Sequence, residues 1–153
     1  MNIKFYLLDE DEVKDEKLKA FAIKNAANKA YNSVSGSLDT VKIVLFACEY
    51  GREAIACTSP DDYLMLLDRL KDEQPARFVK VAGNVNKYKE HAFIEECIAR
   101  GVFEKLINSN LIVDAETNET VGSSIESAVA FIKDTANAKY VNRLEGILKS
   151  KRL

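Results

Sequence analysis

The chain has 153 residues, of which 47% are hydrophobic and 30% charged, with a formal net charge of −2. That composition supports a folded core and excludes an intrinsically disordered chain. A pI of about 5.6 argues against a protein whose main task is to neutralise phosphate backbones.

The longest apolar run, around Ile43 to Cys48, is far too short to span a bilayer. Met1 to Tyr6 lacks the basic, apolar and small-residue succession of a signal peptide. Three cysteines without close pairing fit a reducing compartment, so a cytoplasmic location is expected and membrane association is not.

In chain order, Ile3, Phe5 and Leu7 alternate with Lys4, Tyr6 and Leu8 and predict a first strand. The acidic run Asp9 to Glu12 follows and reads as a solvated helix entry; it lacks the glycine and spaced acids of a calcium loop. A helix is predicted from Val13 to Val34, with Ala20, Ile23, Ala27, Ala30, Tyr31 and Val34 on one stripe and Ser35-Gly36-Ser37 ending it.

Thr40 to Cys48 reads as a second strand, apolar on both faces. Val41, Ile43 and Leu45 occupy one face, and Val44, Phe46 and Cys48 the other. Tyr50-Gly51-Arg52 predicts a hairpin turn and Glu53 to Thr58 the returning strand. Ser59-Pro60-Asp61-Asp62 starts a helix buried through Tyr63, Leu66, Leu67 and Leu70, Pro75 ends it, and Arg77 to Ala82 supplies a fourth strand.

That order predicts a ferredoxin-like βαββαβ sandwich over residues 1–83. Gly83-Asn84 marks a boundary, and residues 84–153 predict a helix–hairpin–helix–helix unit packed on it. Its parts are a helix from about Lys87 to Arg100 capped by Gly101, short strands Phe103–Ile107 and Leu111–Val113, a capping box at Ser123 and Glu126, and a final helix from about Asn137 to Lys149. The class expected is α+β.

In this fold a strand apolar on both faces needs cover, from the C-terminal unit or from another chain. The predicted contact surface is therefore Val41, Ile43, Val44, Phe46 and Tyr50, with a protein partner or self-association expected. Chemistry finds less purchase. Cys48, Cys57, Cys97 and His91 make a nominal zinc set without knuckle spacing, and His91 and Cys97 lie on different sides of one helix. No metal or other cofactor is expected.

His91 is the only histidine, with Glu95 one turn on, and no nucleophile elbow, phosphate loop or zinc-protease motif occurs. A small enzyme or ligand-binding domain using carboxylates and His91 is the alternative. A single-stranded nucleic-acid binder is third, because RNA-recognition modules share the element order. Tyr6 and Tyr50 are its only candidate stacking residues, and Ile55, Ala56 and Cys57 stand where strand aromatics would be needed. Lys149, Lys151 and Arg152 read as favourable charge at a helix end.

Gly101-Val102-Phe103, the short hairpin, the segment Val121 to Val129 and Asn137 before the last helix resemble the C-terminal parts of small uncharacterised proteins from tailed bacteriophages. The resemblance transfers no catalytic residue. It implies a non-enzymatic structural or assembly component, in the host cytoplasm or the virion, that works through contacts with other proteins.

Overall fold

The computed structural model describes the backbone of residues 2–152 and the side chains of residues 14–152. The described residues form eight α-helices, α1 (Asn2–Val34), α2 (Leu38–Ala47), α3 (Gly51–Ile55), α4 (Pro60–Glu73), α5 (Pro75–Ala82), α6 (Lys89–Ala99), α7 (Ile125–Lys133) and α8 (Ala138–Arg152). One antiparallel sheet of β1 (Phe103–Lys105), β2 (Ile112–Asp114) and β3 (Thr120–Gly122), in that order, lies between α6 and α7.

The ferredoxin-like sandwich expected for residues 1–83 does not form: all four expected strands are absent, and their residues lie in helices or in the short connections that follow α2 (Cys48) and α3 (Ala56 to Thr58). The first is absorbed into α1, where no glycine or proline interrupts the chain before Gly36. The alternation of Ile3, Phe5 and Leu7 lies outside the residues whose side chains are described, as does the acidic run Asp9 to Glu12.

The second expected strand is α2. Apolar residues on every side mark a helix enclosed by others as readily as a doubly covered strand. Ser37 caps it by accepting from the Thr40 N–H, with Asp39 in the first turn. Helices α3, α4, α5 and α6 surround it, and Val41, Val44 and Leu45 are wholly enclosed.

The expected hairpin turn at Gly51 opens α3 instead. A Cβ there would stand 3.0 Å from the Ala99 Cβ, so the glycine permits close approach to α6. Pro75 ends α4 and, at the first position of a helix where its missing N–H is harmless, begins α5. Phe78 and Val81, three apart, are the buried pair of α5, a helical spacing.

Glu49 closes α2 in the left-handed region at φ 66°. The Tyr50 N–H donates to the Leu45 carbonyl and the Glu49 N–H to that of Phe46, the paired bonds of a Schellman end. A side chain there costs about 1 kcal/mol, more than its exposed pair with Arg77 at 3.5 Å can return. Glu49→Gly is therefore expected to raise stability by about 0.5–1 kcal/mol, read as a higher urea midpoint with an unchanged slope. At the end of α6, Gly101 does the same task at φ 78° without that cost.

Two apolar cores result. The first gathers Val34 of α1, Val41 and Val44 of α2, Leu67 and Leu70 of α4, and Phe78 of α5. The second gathers Ile94, Phe103, Ile112, Ala128, Leu144 and Leu148. Helix α6 faces both, giving Ala92 to the first and Ile94 and Cys97 to the second.

The expected helix–hairpin–helix–helix unit is instead helix–three-stranded sheet–helix–helix. The unexpected third strand is set by a turn in which Asp114 Oδ1 accepts from the Glu116 and Thr117 N–H groups, while Asn118 takes the left-handed conformation at φ 60°. The cap of α7 falls one residue later than the sequence suggests. Ser124 accepts from the Ser127 N–H, and Ser127 Oγ accepts from the Ser123 N–H.

Candidate functional site

Two regions stand out from the packed body. The first is a cleft of about 320 Å³ between α2 and α6, lined also by Tyr63 of α4 and Arg152 of α8. Glu96, a residue only 6% exposed, is part of its lining. Arg152 holds it from 56 residues away through Nε to Oε2 at 2.8 Å and Nη2 to Oε1, and Arg100, one turn along α6, donates Nε to Oε2 at 2.7 Å.

Burial is the largest single influence on Glu96 and raises its pKa. The hydrogen bonds and charges of Arg152 and Arg100 together outweigh it, so the pKa lies below the ordinary carboxylate value. Arg152 responds in the opposite sense, raised chiefly by its hydrogen bond to Glu96. Lys42 and Lys89 stand on the cleft walls, and neither has a carboxylate within 4.0 Å among the described residues. The Lys42 ammonium lies 5.1 Å from the centre of the Tyr63 ring.

The second region is α1. From Lys14 to Asn25 every residue is exposed, and burial begins at Ala26 and Ala27, where α1 meets α4 and α5. Leu18 is 65% exposed and Phe21 63%, one helical turn apart on the face opposite Ala27. Residues 14–25 of the helix thus run outward without cover from the described residues.

The five residues expected to form a contact surface lie in and just after α2. Val41 and Val44 have no exposed surface, Phe46 and Tyr50 are buried, and Ile43 is half-buried beside the cleft. These residues lie at no sheet edge: Val41, Val44, Phe46 and Tyr50 belong to the first core, and Ile43 packs against it. Tyr50, a candidate for base stacking, is buried with the Arg69 guanidinium 5.9 Å from its ring centre; Tyr6 lies outside the residues whose side chains are described.

His91 and Glu95 are neighbours on α6, with Nε2 and Oε1 3.6 Å apart, too far for a good hydrogen bond. His91 does not border the cleft. Cys48 and Cys97 are buried in different cores, and desolvation pushes their thiols up to about 11 and about 12, so both are held protonated. No group of three or more metal-ligating side chains converges among the described residues.

Two polar clusters escaped the sequence. Besides Glu96 with Arg152, Asp114 is buried and accepts from the Tyr140 hydroxyl, with Arg143 Nη2 at 3.5 Å. Burial again raises its pKa most, and the Tyr140 bond, two backbone N–H groups and Arg143 reverse the sign, leaving it below the ordinary value. This cluster ties α8 to the β2–β3 turn. No described helix is long and apolar enough to cross a membrane. No family model, curated protein or solved structure matches the chain.

Proposed function

We propose that the protein is a non-enzymatic interaction protein whose contact element is the outward-running part of α1, and that its first partner is a second copy of itself. The observation that carries this is the exposure of Leu18 and Phe21 on a stretch of helix, residues 14–25, in which every residue is exposed. A lone stretch of helix is marginal in water and gains its stability by packing an apolar face.

Charge selects the second copy. Residues 9–16 carry six acids and one lysine, whereas Lys17, Lys19, Lys24 and Lys29 follow with no acid among residues 17–34. Leu18 and Phe21 sit where the sign changes. An antiparallel pair centred on them sets each acidic half beside a basic half and buries both apolar residues at the two-fold axis.

The resemblance of the C-terminal third to small tailed-phage proteins gives such pairing a natural setting in a virion component or its assembly. The test is sedimentation equilibrium of the wild type beside a Leu18→Lys, Phe21→Lys double variant. Burying these two side chains twice over contributes several kcal/mol, so the variant is expected to dissociate at least about a hundredfold more readily. Equal masses for the two proteins would overturn the proposal.

A further inference from the structure

We propose that the cleft between α2 and α6 binds a phosphate dianion, either free or as the headgroup of a monoester, through Lys42, Arg100 and Arg152. This stands apart from the pairing of α1, which lies elsewhere on the molecule.

Charge is the first ground. Lys42, Lys89, Arg100 and Arg152 border the cleft against two carboxylates, Asp39 and Glu96. Glu96 is one negative charge shared between two guanidinium groups, so it cannot neutralise both. Two positive charges remain over a concave surface, where field lines concentrate and a dianion balances them.

Donor geometry is the second ground. Arg100 reaches Glu96 through Nε, and its Nη groups, which reach the surface, have no acceptor among the described residues. Arg152 spends Nε and Nη2 on the same carboxylate, which fixes its plane. Glu96 thus holds two planar forks rigidly, with spare N–H groups left for a tetrahedral oxyanion, and Lys42 adds a mobile point charge.

Size and walls complete the fit. About 320 Å³ accommodates a small ligand rather than a polymer. Half-buried Ile43 and Phe93 line the cleft and offer an organic substituent an apolar rest.

Isothermal titration with inorganic phosphate and with phenyl phosphate, at constant ionic strength set by chloride, tests the proposal. Saturable binding of either is expected at pH 8, weakening at least several-fold at pH 5.5 as the dianion protonates, the monoester with a pKa of about 6 and the free ion with a higher one. Tighter binding of phenyl phosphate identifies a monoester headgroup; tighter binding of inorganic phosphate identifies the free ion.

Lys42→Gln, which leaves the Glu96 cluster intact, is expected to weaken binding about tenfold, and Lys105→Gln on β1 to leave it unchanged. An unaltered melting temperature in the unliganded Lys42→Gln protein shows that the fold persists; if it falls, Lys42→Met, which keeps the apolar stem and removes the charge, serves as the cleft variant. Absence of heat with both probes, or undiminished binding in the folded cleft variant, overturns the assignment.

Discussion

Glu96→Ala is expected to destabilise the protein by about 3 kcal/mol. The wild-type carboxylate is desolvated, yet three charge-assisted hydrogen bonds from Arg100 and Arg152 compensate it. Removing it leaves two guanidinium groups side by side in the cleft lining without their shared carboxylate. Breaking one side of a buried ion cluster costs about 3–5 kcal/mol; the partial exposure of Arg152 sets the lower end of that range.

The same change unties the last turn of α8 from α6. Arg152→Ala, which removes the more exposed partner and leaves Arg100 on the carboxylate, is expected to cost about 1–2 kcal/mol. Chemical denaturation of both variants at pH 7 measures the pair.

The pH dependence follows with a definite sign. Glu96 titrates below its ordinary value in the folded chain, as does Asp114. Their contribution is therefore complete above the unfolded pKa and is lost as the pH falls through the folded one. Stability is expected to drop on acidification below the ordinary carboxylate values of 4.5 for Glu96 and 3.8 for Asp114, and Glu96→Ala to flatten that slope.

Phe78→Ala is expected to cost about 3–5 kcal/mol. The ring is wholly enclosed in α5, in the first core, and its loss leaves a cavity that packed helices relax into only partly. Val79, next along the chain, is only partly buried, whereas Val81 is 2% exposed. A strand would have placed Val79 and Val81 on one face and set Phe78 apart from both. The cost of Val81→Ala should therefore exceed that of Val79→Ala, a ranking that equal burial on a strand face would not give.

Much of the C-terminal half was legible because its punctuation is local. Gly101 must take a positive φ to close α6, the strands flank the Ser109-Asn110 turn, and a serine-rich start precedes α7. The N-terminal half misled because its helices are short and enclosed. In α2, β-branched residues on every side look like a buried strand, and only the Ser37 cap with Asp39 separates the two. Pro75 carries two meanings, the end of α4 and the start of α5, and the sequence before it marks only the end.

The cleft was beyond reach for a different reason. Glu96 and Arg152 are 56 residues apart, and Asp114 and Tyr140 are 26 apart. Nothing in a single sequence marks such pairs, since each residue alone reads as surface charge or helix stripe. Leu18 and Phe21 were visible in principle: they lie off the stripe running from Ala20 to Val34, and an apolar pair on the wrong face of a helix asks for a second partner.

The most direct test of that partner is the solution mass of the wild-type chain, measured by light scattering over a concentration series at low and moderate salt. Self-pairing through α1 predicts a mass that rises from 17.1 kDa toward twice that value, with the midpoint moving to higher concentration as salt screens the charged halves. A mass fixed at 17.1 kDa at every concentration and at both salts would contradict it.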